Sequence, residues 1–172
     1  MEGAMEQFYN GDTTVVTLDG ERVAEPQVIR VSDFLRKTNY YWFAMMFKLL
    51  DPGIKYELLD DQKLEGTAYK RVEITFDQGV GDVQDKYVLY IHPETKMVDQ
   101  FLFTVLDFGV EQPNLMKVTY EEIDGVKIPT YRKYAQANWE GEPQTDSWTE
   151  EVSRNISFGK GFAEEDLALL PE

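Results

Sequence analysis

KYVLYIHPETKMVDQFLFTV, residues 86 to 105, sets two apolar runs on either side of the polar segment His92-Pro93-Glu94-Thr95-Lys96. Short runs rich in aromatic and branched residues, broken by a proline-containing turn, read as a β-hairpin. KYVLYI and FLFTV are apolar at both alternating sets of positions. The centre of the sheet they belong to should therefore be covered on each side, or should line an apolar cavity.

Working outward, AYKRVEITF (68 to 76) alternates Val72, Ile74 and Phe76 with Arg71, Glu73 and Thr75, the pattern of a strand with one wet face. IKYELL (54 to 59) precedes it, and Asp60-Asp61 reads as the turn between them. QGVGD (78 to 82) reads as a strand connection. On the carboxyl side follow LMKVTYEEI (115 to 123), the turn Asp124-Gly125, VKIPTYRKYA (126 to 135) and SWTEEVSRNISF (147 to 158), where Trp148, Val152, Ile156 and Phe158 fall at even spacing. Near the amino end, TTVVTL (13 to 18) and Asp19-Gly20 give a further hairpin whose return strand starts at Val23. Short connections favour sequential neighbours, so the strands form a meander.

One segment departs from this pattern. SDFLRKTNYYWFAMMFKLL contains no glycine or proline until Asp51-Pro52-Gly53, and Ser32 and Asp33 are good N-caps, so a helix is expected over about 33 to 50. Thr38-Asn39 are weak helix formers, but a continuous or slightly kinked helix is favoured. Its second half, YYWFAMMFKLL (40 to 50), is apolar on nearly every face and should be enclosed on more than one side. Seven or more antiparallel strands plus one very apolar helix predict an α+β fold, a curved sheet in an open half-barrel wrapped around the helix. The tail AEEDLALLPE (163 to 172) reads as a terminal helical turn docked by Leu167, Leu169 and Leu170.

The 172 residues fit a single domain, 1 to 172, with that tail. A formal net charge of -15 makes nucleic acid and anionic membrane surfaces poor partners for the whole chain. The absence of cysteine excludes disulfides, thiolate metal sites and cysteine nucleophiles. MEGAMEQFYNGD lacks the basic and apolar regions of a signal peptide, and the longest apolar run, at eleven residues, is too short for a spanning helix. An integral membrane protein is not expected.

YYWFAMMFKLLDPGIKYELL, GTAYKRVEITF, KYVLYIHPETKMVDQFLFTV and MKVTYEEIDGVKIPTYRKYA, in that order, resemble an uncharacterised family of bacterial envelope proteins of the lipoprotein-carrier type, the LolA/LolB-like half-barrels. The resemblance spans about residues 8 to 162 and rests most on the YVLYIHPETKMVDQFLF hairpin and the FKLLDPG helix stop. It implies a sheet whose concave face is plugged by a helix, an apolar cavity between them that takes acyl chains, and a periplasmic or envelope location. Such families usually have further strands at the amino end, so this chain would lack part of the family sheet. A homodimer through an exposed sheet edge would replace it.

Candidate chemistry is sparse. His92 is the sole histidine and sits at a turn, no G-x-S-x-G elbow surrounds Ser32, Ser147, Ser153 or Ser157, and Gly79-Val80-Gly81-Asp82 lacks the rest of a phosphate loop. Adjacent acids such as Asp60-Asp61, Glu121-Glu122 and Glu150-Glu151 point to opposite strand faces and cannot share one ion. No catalytic residue, cofactor or metal site is therefore assigned. Tyr131, Arg132, Lys133 and Tyr134 put one cation and one aromatic on each face of their strand, where a cation at a cavity mouth could meet a carboxylate or lipid head group. Cross-strand pairing with acids is the structural alternative. The expected ligand cavity comprises Trp42, Met45, Met46, Leu49, Phe101, Phe103, Tyr131 and Trp139, with the thioethers adapting to an apolar guest. The function expected is non-enzymatic binding or carriage of an apolar small molecule or lipid; the alternative is a structural or protein-interaction module with a filled core.

Overall fold

The computed structural model describes residues 3–9, 13–80 and 84–159. The chain divides into two compact units, one holding the described residues of Met1–Lys48 and Ser157–Glu172, the other those of Leu49–Ile156. The fold is α+β, and every strand pairing is antiparallel.

The first unit contains strands β1 (Met5–Tyr9), β2 (Thr14–Leu18) and β3 (Glu21–Arg22), ordered β1-β2-β3, and helix α1 (Pro26–Lys48). Asp19 and Gly20 both have positive φ, 52° and 83°, the backbone of the tight hairpin that Asp-Gly favours. β1 carries no β-branched residue and gave no strand signal. It forms because Met5 to Tyr9 pair with Leu18 to Thr14.

Helix α1 corrects the expected start. It begins at Pro26, seven residues before Asp33, with the Glu25 carbonyl accepting the Ile29 N–H at 3.1 Å. Proline at the first helical position has no N–H to leave unpaired and a φ already suited to the helix. Ser32 is consequently not a cap but a buried interior residue. Asp33 accepts the Thr14 hydroxyl at 2.6 Å and pairs with Lys37 at 3.0 Å. The helix runs without a break through Thr38-Asn39 and stops at Lys48, two residues before the expected end.

The second unit is a seven-stranded meander of β4 (Ile54–Leu64), β5 (Thr67–Phe76), β6 (Tyr87–Ile91), β7 (Val98–Val105), β8 (Val110–Ile123), β9 (Val126–Gln136) and β10 (Thr149–Val152). Each strand neighbours the next in sequence; β4 and β10 are its edges, and the sheet does not close into a barrel. Asp60-Asp61 is not a turn. It lies in a bulge between Leu59 and Gln62 within β4, and the chain turns instead at Glu65-Gly66, both with positive φ. The last strand is shorter than expected: β10 pairs only with Tyr131 to Tyr134, leaving Trp148, Ile156 and Phe158 outside it.

The hairpin from which the fold was read forms the middle of the sheet, and Tyr87 to Tyr90 and Phe101 to Thr104 are all buried. One face carries an aromatic row, Phe76, Tyr87, Phe101, Phe103 and Tyr134, with successive ring centroids about 6 Å apart. Arg132 is buried on this face and pairs with Glu151 across β9 and β10 at 3.1 Å. The opposite face holds Val88, Tyr90, Leu102 and Leu115, against which Leu59, Leu64, Tyr69, Trp139 and Trp148 pack. The expected terminal turn at 163 to 172 and the residues Gly81-Asp82 lie outside the described residues.

Candidate functional site

A cleft of about 600 Å³ opens on the second of these faces, within the Leu49–Ile156 unit. Its floor is the sheet itself. β7 contributes Asp99 and Gln100, β8 Leu115, Lys117 and Thr119, and β9 Tyr131 and Lys133. Leu64 to Tyr69, around the β4–β5 turn, form one wall, and Gly141 to Pro143 form another.

The second wall depends on a latched loop. Asn138 accepts the Glu142 N–H through its side-chain oxygen at 2.9 Å, and its carbonyl accepts the Gly141 N–H at 3.0 Å. Gln62 donates to the Glu140 carbonyl at 2.7 Å and accepts the Tyr90 hydroxyl at 3.2 Å, so the loop is tied to β4 and β6. Gly141 has φ +79°, and a Cβ there would lie 2.8 Å from the Tyr90 hydroxyl oxygen. Glycine permits both the backbone conformation and the close approach.

The polar groups divide by side. Toward the β4–β5 turn, Asp99 accepts the Tyr69 hydroxyl at 2.9 Å. Burial, followed by that hydrogen bond to a carboxylate, pushes the Tyr69 phenol up to about 12. Toward β10, Lys117 and Lys133 face each other in register across β8 and β9, both half-buried, with the Trp148 ring 5.9 Å from one ammonium and 5.1 Å from the other. Neither lysine makes an ion pair with another described residue. Beside them, the Tyr131 phenol is pushed up by desolvation and by the neighbouring Glu150 carboxylate.

The expected cavity residues separate. Trp42 and Met45 are buried and Met46 half-buried on α1, in the first unit. Leu49 is buried in the second unit, where its carbonyl accepts the Tyr56 hydroxyl. Phe101 and Phe103 belong to the aromatic row, whereas Tyr131 shares the opposite face with Gln100, Lys117 and Lys133. Trp139 packs on that opposite face too, with the Lys86 ammonium 5.1 Å from its ring. Of the eight, Tyr131 alone lines the cleft.

Lys117 was not singled out from the sequence, and Trp148 was read only as a strand residue, not as part of a site. Counting back from the Asp124-Gly125 turn would set Lys117 opposite Arg132, but the register shifts by one between Thr119 and Tyr120 and brings Lys133 there instead. Pro129, which has no N–H for the ladder, sits at the shift. A one-residue shift exchanges the faces, so the same bulge sends Arg132 to the buried side and Lys133 to the cleft.

Among the described residues, no three His, Asp or Glu side chains come together as a metal-ligand set. No helix among them is long and apolar enough to cross a membrane. No protein-family model matches the chain, and no curated protein or solved structure shows significant similarity to it.

Proposed function

We propose that this protein is a non-enzymatic binding or carrier module that takes an apolar ligand, such as an acyl chain, in the cleft on the Tyr131 face of its meander sheet. The observation that carries the reading is the cleft, whose 600 Å³ lies within the range usual for small-molecule sites. Leu64, Tyr69 and Tyr131 give it apolar and aromatic surface above the buried Leu115, and the latched loop keeps the wall at Gly141 in place. The proposal keeps the carrier-type reading of the sequence and places the guest on the sheet rather than against helix α1.

Titrating the protein with dodecanol, a neutral single-chain probe, while following tryptophan emission tests it. Trp148 and Trp139 both pack on this face and should report occupancy. Saturable binding is expected, weakened by Leu64→Asp, which puts a charge on a half-buried cleft wall. No saturable response in emission, together with no adduct in native mass spectrometry, would overturn the proposal.

A further inference from the structure

We infer that the cleft selects a guest with a single anionic head group, held between Lys117 and Lys133 beside Trp148, with its chain lying toward Tyr69 and Leu64. The inference rests on the binding reading above and adds the chemistry of the head. Two ammonium groups directly opposed on neighbouring strands repel each other, an arrangement that costs stability unless something anionic lies between them. In a chain with 32 acidic residues against 17 basic ones, this pair is half-buried in a cleft, and although Glu150 stands opposite Lys133 on β10, neither ammonium makes an ion pair with a carboxylate among the described residues. The Trp148 ring centroid lies 5.9 Å and 5.1 Å from the two ammoniums, and both lysines line the cleft, where a ligand oxygen can meet them.

The remaining charges limit that head to one negative group. Glu65, Asp99 and Glu142 also line the cleft. Asp99 already accepts from Tyr69, and Glu142 accepts the Asn138 amide at 3.0 Å. Glu150 stands opposite Lys133 on β10, on the Tyr131 side of the cleft. These carboxylates would repel a second anionic group reaching across the cleft, whereas an apolar chain meets no such repulsion at Leu64. A carboxylate and a phosphodiester meet these requirements equally, so the shared chemistry is a monoanionic head on a single chain.

The test compares dodecanoate, lysophosphatidylglycerol, dodecanol and inorganic phosphate on the full chain, and on the Lys117→Gln/Lys133→Gln variant, by tryptophan emission and calorimetry. Dodecanoate or the lysophospholipid should bind more tightly than dodecanol and should weaken roughly tenfold or more in the variant, as loss of a charge-assisted hydrogen bond gives. Dodecanol should be unaffected. Whichever anionic probe binds more tightly identifies the source of the head group. Equal affinity for dodecanol and both anionic probes, unchanged in the variant, would remove the head-group assignment and leave the binding reading standing. Binding of none of the chains would remove both, and displacement of dodecanoate by inorganic phosphate alone would replace the amphiphile with a free anion. Lys117→Glu supplies a check on folding: its register neighbours are Gln100 and Lys133, so it should raise the melting temperature by converting the repelling pair into an attracting one, while abolishing the response to dodecanoate.

Discussion

Gly141→Ala should destabilise the protein through two separable effects. An L-residue held at φ +79° loses about 1–2 kcal/mol relative to glycine. The new methyl group would also stand 2.8 Å from the Tyr90 hydroxyl oxygen. Tyr90 is fully buried and hydrogen-bonded to Gln62, so it cannot swing aside without losing that bond, and overpacking of this kind costs about 1–3 kcal/mol. The sum, about 2–5 kcal/mol, should appear in urea unfolding as a lower midpoint with the slope unchanged. Tyr90→Phe separates the two parts: it removes the clashing oxygen and costs about 1 kcal/mol for the lost hydrogen bond. Placed in the Gly141→Ala background, it should cost less than it does alone, because the overpacking part is relieved; the backbone part should remain. If Gly141→Ala unfolds within about 0.5 kcal/mol of the parent, or if the two substitutions are simply additive, the close approach of loop and sheet is not what holds the cleft wall.

Further substitutions probe the charges of Asp85 and of the Arg132–Glu151 pair. Asp85 accepts the Thr104 hydroxyl and the Leu106 N–H, each at 2.9 Å, yet burial raises its carboxyl above 3.8. A raised folded-state value favours the folded chain while the group is protonated, and that contribution is lost as pH rises through the folded value. Asp85→Asn, which keeps an accepting oxygen without the charge, should therefore raise the melting temperature at pH 7, with the gain shrinking toward pH 3; a loss at pH 7 would contradict this. Glu151→Gln should cost on the order of 3 kcal/mol, because it takes the countercharge from the buried Arg132, while Arg132→Met/Glu151→Leu should recover most of that loss in urea unfolding.

Much of the sheet was legible because its signals are local. Asp19-Gly20 and Asp124-Gly125 close tight turns through their own φ preferences, and the unbroken apolar character of Tyr87 to Tyr90 and Phe101 to Phe103 marked the buried middle strands. Where no local signal existed, the elements were misread or missed. β1 is held by its pairing with β2 rather than by propensity, and α1 continues back to Pro26, past the Ser32-Asp33 pair that resembled its cap. Asp60-Asp61 resembled a turn because two adjacent aspartates suit one, but pairing with β5 on both sides turns them into a bulge.

The candidate site shows the same boundary. The sequence by itself determined the alternation that puts Tyr131 with Lys133 and separates both from Arg132, since successive strand residues face opposite ways. It could not determine which of those faces is buried or what stands opposite. That was decided by the register shift at Thr119 and Tyr120, by the loop that brings Gly141 onto Tyr90, and by the Trp148 ring beside two lysines sixteen residues apart in the chain. Register and loop docking arise from contacts between distant segments, and a local pattern carries no record of them.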